Sequence, residues 1–170
     1  MSSPCAVWQK GKLMYRAKDI ARYIINYSNK TGYCISNLKL QCLLYFVQAY
    51  FLIMEETPCF DDKMRAEDYG PVVPEVYGQY KEYGHSQLPP VTSYLECTDN
   101  GLWHMERSAF DSKFLTERHK ELIEEVVDEF SGCIASELIG LIQEQKPWKE
   151  AREQMMPIFS VNTLKKYFRS

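Results

Sequence analysis

The chain has 170 residues, 45% of them hydrophobic and 14% aromatic, which suits one folded domain with a sizeable core and excludes extended disorder. Its net charge of −3 argues against general nucleic-acid binding, which needs a broad basic footprint. Cys5, Cys34, Cys42, Cys59, Cys97 and Cys133 show no C-x-x-C spacing, and Met1-Ser2-Ser3-Pro4 lacks the marks of a secretory signal, so the cysteines read as free thiols of a cytoplasmic protein.

Residues 1–15 read as a loose N-terminal leader, and 16–170 as the domain proper. A first helix is expected from Arg16 to Tyr27, where Ala17, Ile20, Ala21, Ile24 and Tyr27 form one apolar stripe that Asn29-Lys30-Thr31-Gly32 ends. Ser36 or Asn37 caps the next helix, Leu38 to Glu55, which is apolar nearly all round. Such a helix is central to a core or spans a membrane. Lys39, Gln41 and Gln48 interrupt it, and it is shorter than the usual ~20 residues of a span, so the central position is expected and no membrane.

Cys59 to Ala66 reads as a connector. In Tyr69-Gly70-Pro71-Val72-Val73-Pro74-Glu75-Val76-Tyr77, Gly70 can take backbone angles that other residues avoid, and the valines are stiff and extended. Pro74 then opens a short helix that Gly84 stops. The segment reads as a rigid corner. Ser93–Cys97 and Leu102–Met105 flank Thr98-Asp99-Asn100-Gly101, the pattern of a β-hairpin. Thr116 caps a helix with Leu122, Ile123, Val126, Val127 and Phe130 inward and a Glu-rich outer face. Ile134–Gln143 forms another helix, and Pro147-Trp148 starts a short one. Ser160–Phe168 forms the last, with Val161, Leu164 and Phe168 inward. The expected fold is mainly α with one small β-hairpin, a compact single-domain bundle around a central apolar helix.

No residue pattern points to catalysis, to a metal or to another cofactor. His85, His104 and His119 have no partner at metal-ligand spacing. Asp61-Asp62 and Glu67-Asp68 offer carboxylates, read as a solvated connector, and Cys59 would need a base to act as a nucleophile. Charge is uneven. Lys10, Lys12, Arg16, Lys18 and Arg22 make the N-terminal part basic, as Lys165, Lys166 and Arg169 do the C-terminus, while the helix at 117–129 is acidic. Such faces are solvated, or dock a charged partner.

Residues 38–52, Leu-Lys-Leu-Gln-Cys-Leu-Leu-Tyr-Phe-Val-Gln-Ala-Tyr-Phe-Leu, resemble the opening signature of the Panacea antitoxin domain, the SocA/GepA-like, phage-associated family. Pro58 to Asp62, Ala66 to Tyr77, Tyr80 to Gly84 and Pro147 to Arg152 follow in the family's order. The chain departs at Cys42, where relatives often carry Lys, and at Ile142-Gln143, where they often carry Thr-His. The resemblance implies a helix-rich, non-enzymatic domain that binds and neutralises a cognate protein toxin. The alternatives are a proteolytic adaptor that delivers the toxin to a protease and, in another class, a DNA-binding autorepressor, which the basic N-terminus favours and the net acidity opposes. The motif residues expected to edge the interaction surface are Tyr69, Gly70, Pro71, Val72, Val73, Pro74, Glu75, Tyr77, Tyr80, Lys81, Pro147 and Trp148. Oligomeric state is left open.

Overall fold

The computed structural model describes residues 5–9, 11–98 and 104–170. In chain order the elements are β1 (Ala6–Gln9), β2 (Lys12–Tyr15), α1 (Ala17–Thr31), α2 (Asn37–Met54), β3 (Arg65–Glu67), β4 (Gly70–Val72) and α3 (Pro74–Tyr80). Then come β5 (Ser93–Thr98), β6 (His104–Ala109), α4 (Glu117–Glu129), α5 (Ala135–Gln143), α6 (Lys146–Arg152) and α7 (Val161–Arg169). The fold is mainly α with minor β, as expected, but the strands form three antiparallel pairs, β1–β2, β3–β4 and β5–β6, where one hairpin was expected.

Helix α2 is the centre. By length and composition it could cross a membrane, yet 78% of its 18 residues are buried inside the domain. It packs against α1, α3, α4, α5, α7 and β4, so no face is left for solvent and no amphipathic stripe is needed. The Ser36 side chain caps it, accepting from the Lys39 amide.

The polar residues that interrupt its apolar run have structural tasks. The Gln48 side chain accepts from the Cys59 amide at 2.8 Å and donates to the Phe60 carbonyl at 2.9 Å. Gln41 accepts from the Val73 amide at 2.9 Å and donates to Asn37, which donates to the Tyr77 carbonyl. Lys39 reaches the Ser131 carbonyl at 2.9 Å. Gln48 and Gln41 satisfy backbone groups of buried irregular segments, and Lys39 those of the half-buried turn after α4.

Helix α1 runs to Thr31, past the expected end at Tyr27. Asn29 does not break it, because its side chain bonds back to the Ile25 carbonyl and across to that of Leu88. Gly32 stops it in the left-handed region at φ 81°, and Tyr33 donates to the Ser28 carbonyl. At the other end Asp62 accepts from the Ala17 amide at 3.0 Å, so the first turn is capped from across the chain.

Where a loose leader was expected, β1 and β2 pair around Gly11, which takes φ 75°. Tyr15 is buried, donates its amide to the Cys59 carbonyl and bridges Phe60 in parallel. Alternation decides this: in Lys12-Leu13-Met14-Tyr15 the residues Leu13 and Tyr15 share the face that packs on the core. The expected connector also contains a strand, β3, which pairs with β4 across Asp68-Tyr69 and with Ile158 on its far side. The hairpin expected near residue 100 is present as β5–β6, although its second strand begins at His104. Thr98 of its expected turn belongs to β5, and Asp99-Asn100-Gly101 and Leu102-Trp103 lie outside the described residues.

Three of the six carboxylates of α4 are bonded by tyrosines of the helices it packs on. Tyr23 and Tyr27 of α1 donate to Glu124 and Asp128, and Tyr50 of α2 donates to Glu129. Half of the acidic face is therefore a docking device. Helix α7 buries Leu164 and half-buries Phe168, but Val161, expected inward, is 41% exposed. It is the first helical residue, on a turn that points away from the core. All six cysteines are free thiols, and burial pushes Cys42 up to about 12 and Cys59 well above the ordinary range.

Replacing Gln48 by Ala leaves the Cys59 amide and the Phe60 carbonyl buried without partners, and should cost about 2–3 kcal/mol of stability in a urea unfolding curve. Leu44→Asp, which places a carboxylate at a position with 0% exposure, should abolish the cooperative thermal transition.

Candidate functional site

The corner at residues 69–77 is built from three directions. The β3–β4 turn brings Gly70 opposite Glu67 at φ 122°, a conformation that side chains rarely adopt. A Cβ there would also lie 3.0 Å from Cγ1 of Ile139 on α5. Val73 follows in extended conformation, as the residue before a proline must, and its amide is held by Gln41. Pro74 occupies the first position of α3, where its missing N–H costs nothing. From the far end of the chain, Arg152 donates to the Ala66 carbonyl at 2.9 Å and pairs with Asp68 at 2.6 Å.

The motif residues fall into two groups. Gly70, Pro71, Val72, Val73, Tyr80, Pro147 and Trp148 are buried. Trp148 packs on Phe159, with ring centroids 5.9 Å apart. Tyr69, Pro74, Glu75 and Lys81 are exposed, and Tyr77 is half-buried with its ring 5.5 Å from that of Tyr69. A partner approaching this edge meets the second group only.

On its other side α3 borders a cleft of about 850 Å³, shared with α1 and β5. Its floor is an ion network. Asp19 accepts from both Arg16, at 2.6 Å, and Arg22, at 2.7 Å, and Arg16 also pairs with Glu96 at 2.5 Å. The Arg22 guanidinium lies 3.5 Å from the centre of the Tyr94 ring. Lys18 and Glu75 pair at the rim. Arg16, Lys18 and Arg22 of the basic N-terminal stretch are thus neutralised in place. Burial pushes the Tyr80 phenol, on the opposite wall, up to about 12, with Arg22 opposing it.

Tyr94 and Glu96 were not singled out from sequence, and Arg22 only as one of the basic N-terminal residues. Spacing does hold one signal, since Asp19 stands three residues from both Arg16 and Arg22 and so shares a helix face with them. The hairpin residues carry none.

The groups weighed for chemistry are dispersed. Cys59 is fully enclosed, and Asp62 is raised by burial while it caps α1. His119 bonds Tyr15 at 2.6 Å, and burial pushes its imidazole down, opposed by Glu55. His85 is exposed on a loop. Among the described residues no three His, Cys, Asp or Glu side chains gather as metal ligands would.

The order of these pieces along the chain is that of one family: residues 40–149 match the model described as antitoxin SocA-like, Panacea domain. The chain belongs to this family. The match spans α2, the corner, the cleft's α3 and β5 walls, and α4 and α5, and ends within α6. No curated protein and no solved structure matches the chain. In this Panacea domain the buried residues of the 69–77 motif pack on α2 and α5.

Gly70→Ala should cost about 1–3 kcal/mol, from the forced backbone angle and the contact with Ile139. Adding Ile139→Val should recover only the steric part, which a thermal melt of the single and double variants measures.

Proposed function

We propose that the chain neutralises a protein toxin by binding it directly, as a stoichiometric partner in the cytoplasm. The observation that carries this reading is membership of an antitoxin family over residues 40–149. Two features support it. The motif's exposed members lie side by side on the β3–β4 tip and the outer face of α3, where a rigid scaffold holds them. Exposed large side chains, Tyr69 and Tyr83 among them, border the same region and are the kind that anchor interfaces. The other tyrosines are buried or half-buried, three of them bonded to α4.

Binding by occlusion asks nothing catalytic of the chain. A standard interface buries about 800 Å² per partner. The α3 face alone is smaller than that, so the contact extends from the β3–β4 tip past α3 toward the cleft.

The test is co-expression with the protein encoded beside this one. Growth should be rescued, and the two chains should co-purify. Replacing Glu75, Lys81 and Glu82 together by Ala should weaken the complex about tenfold or more while leaving the melting temperature unchanged. Absence of both rescue and complex removes the proposal. Rescue that disappears in cells lacking their energy-dependent protease would replace occlusion by delivery to that protease.

A further inference from the structure

One wall of the cleft is a strand edge. Ser93, Tyr94, Leu95, Glu96 and Cys97 all border it. Successive side chains of a strand point to opposite faces, so a run of five bordering one space presents its backbone edge to that space. Among the described residues β5 pairs with β6 alone. The Phe110 amide donates to the Thr92 carbonyl, and that bond sets the alternation. Tyr94 and Glu96 turn their amides and carbonyls toward β6, while Ser93, Leu95 and Cys97 turn theirs outward.

We propose that this edge captures an extended peptide segment of the partner protein as a third strand, seated between β5 and the helices α1 and α3. The inference rests on the toxin-binding reading and gives it a place and a mode. At roughly 3.3 Å per residue the five residues offer about 16 Å of edge, enough for a segment of similar length.

The floor of the cleft says what kind of segment fits. Arg22 is 2% exposed, and its Nε–H has no partner. Tyr80 is 5% exposed, and its hydroxyl has none either. Across from them Oε2 of Glu96 is an unpaired acceptor. Buried polar groups are normally satisfied, so this trio is an unfilled set of two donors and one acceptor. Its charges already cancel, Arg16 and Arg22 against Asp19 and Glu96. A carboxylate or an ammonium would upset that balance. A neutral amide, in a peptide bond or at the end of an Asn or Gln side chain, accepts through oxygen and donates through nitrogen, and so suits donors and acceptor alike. The occupant is an extended, uncharged stretch carrying Asn or Gln where it faces Arg22.

A display library of random peptides, panned against the full chain, tests this without the toxin. Peptides rich in Asn or Gln should be enriched, and adding one should slow hydrogen exchange at the amides of Ser93, Leu95 and Cys97. Leu95→Pro removes an outward N–H without touching the bonds to β6, and should weaken that peptide at least tenfold. Leu95→Ala and, on the opposite edge of the hairpin, Arg107→Pro should leave it within about threefold. Tyr80→Phe, which removes only the unpaired hydroxyl, should weaken it severalfold without lowering the melting temperature. No enrichment, or enriched peptides that leave the β5 amides unprotected or ignore Leu95→Pro and Tyr80→Phe, would overturn the proposal. In the co-expression assay, rescue by the wild type that Leu95→Pro abolishes extends it to the toxin, whereas rescue untouched by Leu95→Pro overturns it there. If the wild type itself never rescues, the antitoxin reading falls, and the peptide arm still decides the cleft.

Discussion

A helix buried on every side imposes a condition on everything around it. The chain that covers α2 is taken out of water, and where that cover is irregular it has no ladder of its own to satisfy its amides and carbonyls. Gln48, Gln41 and Lys39 answer this from within the helix. One glutamine side chain offers both an acceptor and a donor, so it can hold a passing strand as a neighbouring strand would. The segment at 59–60 and the corner at 73 owe their positions to these side chains. The cover, once fixed, positions β2, α3 and the cleft.

The same economy appears at α4. Three tyrosines bury their rings against the helix pair and present hydroxyls to carboxylates that would otherwise face solvent. Ion pairing at the cleft floor is a different arrangement. There Arg22 is enclosed under Tyr94 with its charge met by Asp19, but its hydrogen-bonding capacity is only partly used. The domain satisfies its polar groups closely around α2 and leaves a few open beside the cleft it forms with α3.

The long-period features of the fold were legible in sequence. Helix α2 was readable from a long run that is apolar nearly all round, and α4 from its stripe and its Thr116 cap. The corner followed from Gly70, Pro71 and Pro74, because their backbone restrictions are local. Short strands were not. β1–β2 and β3–β4 have three or four residues per strand, too few for alternation to stand out, and β3 is held by Ile158, more than ninety positions away. The site was legible in its family motif but not in its chemistry. Arg16, Asp19 and Arg22 share a helix face, yet nothing in the sequence brings Tyr94 and Glu96 to them, since that contact depends on how the hairpin folds over. The motif also mixed two kinds of residue that sequence could not separate: buried ones that hold the corner and exposed ones that a partner can reach.

The stretch from Cys59 to Glu67 has a consequence for how the molecule is made. Tyr15 bonds to its beginning, and the backbone of Pro157 to Phe159 runs along its end. It is a seam where early and late parts of the chain are stitched to the same short piece. A ribosome delivers the first of these neighbours long before the second. Until residues 157–159 emerge, β3 has one open side and Arg152 is not yet in place on the Ala66 carbonyl. Closing this seam is therefore a step that waits for residues 157–159, and until they arrive a newly made chain carries an exposed strand edge.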